Sequence, residues 1–347
     1  MNTRRIIAPM GAPHMKLKKL SILPIFLAIP TLLVGCSSKE QVLIYTTTEE
    51  ERNVVIQKEL NEKFPKYNVV VQYMGTGSLF TKLSSEGTST DCDIFYELET
   101  CSAESLLSSN ANLFASLDDY DFSIYDASVT GYLSKHKKYA INSKLNTGVL
   151  YNKKVLATNG LAIPTKYSDL LDSKYKGLVE TSNPKSSGTG YSIYNGLASA
   201  DGLENALSYF GSLSTNIKEF TSSGSAPIKA VDRGDVAVGF GMLWQCVEYS
   251  NANADLGFTF LDKGSAYNLY SSGMIGGHEK RSAVKEVFDY FYNTINKEQT
   301  QSFVPDKIYK DQAAPTIANY PTNVTEISMQ GLFDPIYKAN LIDKWTF

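Results

Sequence analysis

Four short segments rich in serine, threonine and glycine each stand just ahead of a predicted helix. They are TTT at residues 46–48, GTGS at 75–78, SSGTG at 186–190 and TSSGS at 221–225. The first amides of a helix lack partners within the helix and carry part of the positive end of its dipole, so an unobstructed helix start attracts an anion. Glycine allows close approach of the main chain, and hydroxyl groups add hydrogen bonds. Together the segments predict a site for a small oxyanion: a phosphate, a phosphonate or a carboxylate.

The candidate ligand-binding residues are the hydroxyl and glycine positions of these segments. In the third segment the amide of Gly190 is a further donor, and Pro184 fixes the entry to the loop. A single segment of this kind is more often an ordinary helix cap, and it is the fourfold occurrence that favours a binding site. The candidates are Thr46, Thr47, Gly75, Thr76, Gly77, Ser78, Ser186, Ser187, Gly188, Thr189, Ser223, Gly224 and Ser225.

Motifs for catalysis or for metal binding are missing from the sequence. It contains no GxSxG hydrolase motif and no GxxxxGK loop followed by Ser or Thr. His136 and His278 lie in no catalytic setting, and the cysteines lack the CxxC spacing of zinc sites. We therefore predict a binding protein that is not an enzyme and that has no cofactor or metal site.

The first 35 residues have the pattern of a secretory signal peptide. In MKLKKLSILPIFLAIPTLLVGC, three lysines precede an apolar run that is interrupted by prolines and is too short for a comfortable membrane span. The ending LVGC resembles a bacterial lipobox, which implies cleavage before Cys36 and a lipid on that cysteine. We predict a signal peptide at 1–35 and a lipidated linker at 36–40. Translation from Met1 or from Met15, and an uncleaved N-terminal anchor, stay open.

The predicted mature chain is acidic. Without residues 1–35, 28 Lys and Arg face 36 Asp and Glu, a net charge of about −8. Such a surface repels the phosphates of nucleic acid, so we expect no nucleic-acid partner. Cys92, Cys101 and Cys246 then remain, an odd number for an exported chain. Buried unpaired thiols are favoured, and a disulfide between Cys92 and Cys101 stays open.

The order of apolar patterns predicts an α/β fold. QVLIYTTT, NVVVQYM and CDIFYEL are typical of strands, and a helix follows each of them, the first with Thr48 and Glu51 at capping-box spacing. This alternation predicts a parallel sheet with helices on its faces, in which ligands bind at the carboxyl ends of the strands. A second unit of the same type runs from a predicted helix TKYSDLLD, opened by Pro164, through a strand GLVET and a helix APIKAVDR to a strand VAVGFG.

Two extended segments are predicted to cross between the units. They are YAINSKLNTGVLYN and SAYNLYSSGMIGG, and a long amphipathic helix, RSAVKEVFDYFYNTIN, follows the second. We predict a first lobe made of 41–140 plus 270–347 and a second lobe made of 141–269.

Several of these segments resemble those of a bacterial ABC-transporter substrate-binding lipoprotein. The resemblance rests on LIYTTTEEE, GTGSLFTKL, PTKYSDLLDSKYKG, NPKSSGTGYS, TSSGSAPIKAV, GDVAVGFG and DKWTF, and it spans nearly the whole mature chain. More narrowly, the chain is similar to the group that includes ferric-iron, thiamine, 2-aminoethylphosphonate and hexose-phosphate binding proteins. The resemblance implies a type II periplasmic-binding fold, whose two lobes close on a solute by hinge motion and deliver it to a permease and its ATPase. We expect a lipid-anchored monomer on the extracytoplasmic side of the cell membrane.

The sequence departs from the ferric-binding members of this group. They use a tyrosine pair after the strand that corresponds to VAVGFG, where this chain has Met242, Leu243 and Trp244. Tyr191, Tyr249, Tyr267 and Tyr270 are available as replacements, although a core or rim position is more usual for each, so a ferric-iron binding protein is the alternative function. Trp244 and Tyr267 join the candidate ligand contacts, because an aromatic ring stacks on an apolar or cationic part of a ligand.

Charged candidates for ligand contact are few. Lys263 would supply a positive charge to an anion, and Glu97 and Glu99 would bind the amine of a zwitterionic solute. The predicted function is capture of a small oxyanionic solute for an ABC importer. The identity of the solute and a role as receptor or adhesin stay open.

Overall fold

The computed structural model describes residues 39–133 and 135–347, so the predicted signal peptide and the lipid site Cys36 lie outside the described residues. Within that part of the chain there are nine strands and twelve α-helices. The strands are β1 Gln41–Thr46, β2 Asn68–Tyr73, β3 Ile94–Glu99, β4 Ala140–Asn152, β5 Val179–Ser182, β6 Ile217–Thr221, β7 Val238–Met242, β8 Leu256–Thr259 and β9 Tyr267–Met274. The helices are α1 Glu50–Lys63, α2 Thr76–Glu86, α3 Thr100–Ser109, α4 Ala127–Thr130, α5 Lys153–Thr158, α6 Gly188–Asp201, α7 Leu203–Leu213, α8 Ala226–Asp232, α9 Leu243–Ala252, α10 Ser282–Tyr290, α11 Asn296–Ser302 and α12 Pro335–Lys344.

The strands form two sheet halves that share one long strand. In the first half β2, β1 and β3 are parallel, and β9 runs antiparallel between β3 and β4. In the second half β7, β5 and β6 are parallel, with β4 antiparallel to β7 and β8. Strand β4 pairs with β9 over Ala140–Asn146 and with β7 and β8 over Thr147–Asn152. The predicted crossing YAINSKLNTGVLYN is therefore this shared strand.

Each sheet half has its own apolar core, and we call the two halves with their helices the first and the second lobe. In the first lobe Ile56 and Leu60 of α1 pack with α10 on one face, while Leu79 and Leu83 of α2 pack with α3 on the other. In the second lobe α6 and α7 cover one face, and α8 and α9 cover the other. Two such α/β lobes match the architecture predicted from the strand and helix order.

The C-terminal helix packs on the second lobe. Leu341 and Trp345 belong to the core around α6 and α7, and the Trp345 ring meets Tyr194 and Phe210 edge-on at centroid distances of 5.0 and 4.9 Å. Helix α12 also contacts the first lobe, where Lys338 Nζ donates to Glu99 Oε2 and, at 3.0 Å, to Ser102 Oγ. The residue boundaries of the lobes stay a prediction.

Some local predictions were wrong. Helix α1 begins at Glu50 with Glu49 as an N-cap that makes no side-chain bond, so the predicted capping box is not formed. The Thr48 hydroxyl instead donates to Asn53 Oδ1. The segment TKYSDLLD gives only a 3-10 turn over Tyr167–Leu171.

The long C-terminal helix is interrupted. A π-helical segment, Phe291–Ile295, joins α10 to α11. Cys92, Cys101 and Cys246 are buried and free, as the favoured interpretation predicted, and the Cys92–Cys101 disulfide is not formed. None of the helices in residues 39–133 and 135–347 combines the length and apolar character that crossing a membrane requires.

Candidate ligand-binding site

All four serine, threonine and glycine segments reach one cavity between the lobes. Each follows the carboxyl end of a parallel strand: β1 and β2 in the first lobe, β5 and β6 in the second. The cavity has a volume of about 830 Å³. The predicted residues that line it are Thr47, Gly75, Thr76, Ser186, Ser187, Gly188, Thr189, Ser223, Gly224 and Ser225.

The turn at the start of α6 has an N-cap residue whose side chain bonds to the first turn of the helix. Ser187 is its N-cap, and the Ser187 hydroxyl accepts a hydrogen bond from the Gly190 amide at 3.3 Å and donates one to Ser182 Oγ at 3.2 Å. A Cβ atom at position 190 would lie 2.3 Å from the Ser182 carbonyl oxygen, so only glycine fits there. The turn thus brings the first amides of a helix of 14 residues to the cavity without a bulky side chain.

The other three segments contribute in different ways. Gly75 is the N-cap of α2, and Thr76 begins that helix. The hydroxyl of Thr47 donates to the Glu97 carbonyl oxygen, and the Thr47 amide donates to the Tyr96 carbonyl oxygen at 3.2 Å, so neither proton is available to a ligand. Ser223 and Ser225 have their hydroxyl oxygens 3.2 Å apart ahead of the short helix α8, where the loop hydroxyls are the available donors.

Five predicted contacts lie outside the cavity lining. Thr46 is buried with its hydroxyl 2.6 Å from that of Thr48, and Ser78 faces solvent on α2. Gly77 lines a smaller neighbouring cavity of about 210 Å³. Trp244 is buried and packs edge-on against Phe303, and Tyr267 lies under Lys144, whose Nζ is 4.3 Å from the ring centre.

The charged candidates from the sequence also have partners elsewhere. Lys263 forms an ion pair with Asp201 at 2.8 Å and does not line the cavity. Glu99 binds Lys338 and accepts from Asn268 Nδ2 at 2.9 Å, away from the main cavity. Glu97 does line the cavity, but it is engaged by Arg52.

The cavity contains a fully buried arginine that the sequence analysis missed. Arg52 Nη2 donates to Glu97 Oε1 at 2.6 Å, and Arg52 Nε donates to Gln299 Oε1 at 2.9 Å. Arg52 Nη1 has no hydrogen-bond partner among the described residues, and Glu49 Oε2 lies 3.6 Å from it.

The partner of Arg52, Glu97, has an unusual backbone conformation: its φ is +61° at the point where the register between β3 and β9 shifts. A left-handed glutamate is unfavourable and is typical of functional sites.

Burial controls the protonation of the charged residues here. Burial raises the pKa of Glu49, with Arg52 opposing and Glu97 and Glu51 adding to the shift. Burial alone would lower the pKa of Arg52, but Glu97 and Glu49 outweigh it, and the pKa of Arg52 is raised. Arg52 is therefore a permanent positive charge next to two carboxyl groups.

The lobes also meet through Lys229 and Tyr270. Lys229 on α8 of the second lobe forms ion pairs with two residues on α1 of the first lobe, Glu51 at 3.1 Å and Glu50 at 3.7 Å. Lys229 and Glu50 line the cavity. Tyr270 on β9 lines it as well, with a buried hydroxyl that has no partner among the described residues.

Residues 92–323 match a protein family described as bacterial extracellular solute-binding protein. The chain belongs to this family. Its members are not enzymes, and the family implies a location outside the cytoplasm. The chain is thus the solute-binding component of an ABC importer, as the resemblance implied.

Individual relatives are distant in sequence. A putative 2-aminoethylphosphonate-binding periplasmic protein of Salmonella typhimurium is 23% identical over 289 residues, which cover 80% of each chain.

Solved structures agree in fold. The periplasmic binding protein AfuA of Actinobacillus pleuropneumoniae, solved with fructose-6-phosphate, superposes with a TM-score of 0.77 at 21% identity and covers 89% of this chain and 98% of that one. A ferric binding protein of Campylobacter jejuni gives 0.66 at 16% identity, with 87% and 98% covered. These similarities establish the type II periplasmic-binding fold with its two lobes.

Proposed function

We propose that the protein captures a small oxyanionic solute, a phosphonate or a phosphate ester, between its two lobes. The observation that carries this proposal is the convergence of four serine, threonine and glycine turns from both lobes on one cavity. The start of α6 supplies the positive end of a helix dipole and its first amides, apart from the predicted donor Gly190, whose amide is bonded to Ser187 Oγ. The turns ahead of α2 and α8 add hydroxyl groups. The names of the phosphonate-binding and fructose-6-phosphate-bound relatives are consistent with such a ligand.

The one guanidinium nitrogen of Arg52 without a hydrogen-bond partner among the described residues, Nη1, also supports an anionic ligand. A buried positive charge with a free N–H donor is stabilised when a ligand oxygen accepts from it. The sequence analysis named only Lys263 as a positive charge for the anion, and Arg52 lines the cavity where Lys263 does not.

The ferric-iron alternative has weaker support in the side chains. Met242 lines the cavity where the ferric-binding members have a tyrosine, and Trp244 is turned away from it. Among the described residues no group of three or more His, Cys, Asp and Glu side chains is placed to hold a metal ion.

The remaining parts of the proposal concern the context of the protein. Export with a lipid on Cys36, action as a monomer, and delivery to a permease with its ATPase follow the predicted lipobox and the family. Mass spectrometry of the membrane fraction tests the lipid: the expected N-terminal peptide begins at a modified Cys36.

A thermal-shift panel tests the ligand class. The panel holds 2-aminoethylphosphonate, fructose 6-phosphate, inorganic phosphate, thiamine and ferric citrate. A ligand at about 100 times its Kd stabilises the folded state by about 2.7 kcal/mol, which is a measurable rise in Tm. We expect a rise with at least one phosphorus oxyanion. A rise with ferric citrate alone, together with colour, would instead establish the ferric alternative.

A pair of variants tests the mechanism of anion binding. Ser187→Val removes the N-cap hydroxyl of α6 and adds bulk at the cavity, so we expect affinity for the bound oxyanion to fall by on the order of tenfold or more. Lys263→Ala serves as the control, because Lys263 pairs with Asp201 outside the cavity. Calorimetric titration of both variants checks this, and equal losses would count against binding at the start of α6.

A further inference from the structure

Tyr270 brings a polar group of the first lobe to the start of α6 in the second lobe. The residue lies on β9, where its main chain pairs with Glu99 of β3 and Ser143 of β4. Its side chain is only 2% exposed, and its hydroxyl has no hydrogen-bond partner among the described residues. Tyr270 nevertheless belongs to the cavity wall. Buried hydroxyl groups in native proteins usually have a partner, and at a cavity wall a molecule that enters the cavity supplies one.

The hydroxyl of Tyr270 points to a position that both lobes share. A Cβ atom built on Gly188, the first residue of α6, would lie 2.9 Å from Tyr270 Oη and 3.3 Å from Thr76 Oγ1. A phenol from β9, a hydroxyl from α2 and the start of α6 therefore meet at one point. Glycine at position 188 keeps that point free of a side chain, which leaves the three groups open to the same ligand atom.

We propose that the Tyr270 hydroxyl donates a hydrogen bond to the oxyanion held at the start of α6, and so determines which ligands hold the two lobes together. The inference rests on the proposed function, because it requires an oxyanion in this cavity. The amides of α6 and the phenol of β9 come from opposite lobes, so a ligand bonded to both favours the closed state over any open one. The ligand must present a terminal oxygen there, as a phosphonate, a phosphate monoester or inorganic phosphate does.

The surroundings of Tyr270 fit a neutral donor. Burial, followed by the charges of Glu99, Glu97 and Glu49, raises the pKa of Tyr270 well above its ordinary value, and the nearby Ser192 hydroxyl, which donates to the Gly188 carbonyl oxygen at 2.9 Å, opposes the shift only in part. The phenol therefore keeps its proton at neutral pH, and an O–H group donates to an oxyanion. The same surroundings oppose a phenolate, which is the form that coordinates a ferric ion.

The test compares two tyrosines that differ in position but not in burial or bonding. Tyr270→Phe removes the hydroxyl at the cavity and keeps the ring. Tyr191→Phe is the matched control, because Tyr191 is 1% exposed, also has an unpartnered hydroxyl, and lines neither cavity. Both changes delete a buried hydroxyl without a partner, so both variants should fold with a Tm at or above that of the wild type.

Calorimetric titrations use 2-aminoethylphosphonate, fructose 6-phosphate and inorganic phosphate as probes. We expect Tyr270→Phe to weaken the probe that the wild type binds by on the order of tenfold to a hundredfold, the range for a hydrogen bond to a charged group. Tyr191→Phe should stay within about twofold of the wild type, the change left when no ligand bond is lost. Unchanged binding by Tyr270→Phe, or equal losses in both variants, would overturn the inference and leave the proposed function standing.

Two further results are decisive. If the wild type binds none of the three probes, the proposed function fails, and this inference fails with it. A crystal structure of the wild type with the bound probe measures the distance from Tyr270 Oη to the ligand directly and needs no variant. Tyr270 Oη should lie within about 3.0 Å of a ligand oxygen, and a separation beyond about 3.5 Å from every ligand oxygen would refute the bond.

Discussion

At the scale of single residues, Glu49 controls the charge of the cavity. Its carboxyl group has a raised pKa because burial disfavours the carboxylate, while Arg52 offsets part of that shift and Glu97 and Glu51 increase it. The unpartnered Oε2 of Glu49 faces Arg52 Nη1 at 3.6 Å, beyond hydrogen-bond distance. A proton on Glu49 leaves the charge of Arg52 available to an anion, and loss of that proton cancels it.

This coupling predicts a pH dependence of anion binding. As pH rises through the raised pKa of Glu49, a negative charge appears in the cavity, so affinity for an oxyanion should fall. Glu49→Gln removes the titration. The ratio of variant to wild-type affinity should grow with pH by on the order of tenfold, a free-energy difference of about 1.4 kcal/mol. Calorimetric titration from pH 5 to pH 8 measures this ratio.

The ratio is informative because the protonation of the ligand itself affects both proteins equally. Stability provides an independent check of the sign. An acid whose pKa is raised by folding binds more protons in the folded state, so its contribution to stability declines as pH rises above the unfolded value. The variant should therefore lose less stability than the wild type between pH 5 and pH 8. Parallel affinity curves for the two proteins would contradict the role given to Glu49.

The sequence was informative about main-chain features of the site and less so about side chains. Strand ends, glycines and helix starts are local, and ten predicted positions line the cavity. The position of Arg52 could have been predicted from helical spacing, because it lies four residues before Ile56 and eight before Leu60, on the buried face of α1. An arginine on that face requires a buried partner. The direction of Trp244 depended on Phe303, about sixty residues along the chain, and no local pattern contains that contact.

At the scale of elements, the start of α2 and the turn before α6 touch across the two lobes. A Cβ atom on Gly77 would lie 2.8 Å from the main-chain carbonyl oxygen of Lys185, and one on Gly75 would lie 3.4 Å from that of Ser186. A main-chain carbonyl group cannot move aside as easily as the end of a flexible side chain. The glycine at position 77 therefore permits an approach of the two lobes that any other residue would hinder.

Gly77→Ala should thus weaken ligand binding without destabilising either lobe. The added methyl group meets Lys185 only when the lobes approach, so it penalises the closed state and not the fold. We expect affinity to fall by about tenfold, for a clash of the order of 1 to 3 kcal/mol. The Tm of the ligand-free protein should stay unchanged or rise, since alanine favours a helix over glycine.

Gly131→Ala is the matched control. Gly131 has a negative φ and no atom within 4 Å of a built Cβ, so the change adds a methyl group in open space. Calorimetric titration and thermal melting of both variants check the prediction. If Gly77→Ala bound as well as Gly131→Ala, the contact between α2 and the turn before α6 would have no part in closure.

The elements themselves were predicted where the apolar pattern is local. The parallel order of β1, β2 and β3 and the amphipathic helix that contains α10 followed from periodicity. Strand β6 was missed because its middle residues are exposed on both sides, which hides the alternation of a half-buried strand. Helix α12 was missed because only Leu341 within it is buried, and it is positioned by the distant contacts of Trp345.

At the scale of the whole molecule, closure brings charged groups of the two lobes together. Lys229 of α8 reaches Glu51 of α1 at 3.1 Å and Glu50 at 3.7 Å. Burial lowers the pKa of Lys229, but the bond to Glu51 and the nearby acids outweigh it, so the pKa is raised. Because the partners belong to different lobes, this pair is lost when the lobes separate. It stabilises the closed state whatever the ligand.

Lys229→Met should therefore shift the molecule toward the open state. The pair is partly exposed, and exposed ion pairs contribute about 0.2 to 1 kcal/mol, so we expect affinity to fall by about twofold to fivefold. The loss should shrink as salt is raised from about 0.05 to 1 M, because screening already weakens the pair in the wild type. Lys154→Met is the matched control, since Lys154 pairs with Asp255 within the second lobe.

Lys229 also lines the cavity, and a direct bond from its ammonium group to the ligand would produce a similar loss. Glu51→Gln separates the two mechanisms. If Lys229 acts through its pair with Glu51, this variant should lose about as much affinity as Lys229→Met, and the double variant should lose little more. If Lys229 binds the anion directly, removal of the Glu51 charge should leave affinity unchanged or raise it. That second outcome, measured by titration at constant pH, would assign Lys229 to the ligand and not to closure of the lobes.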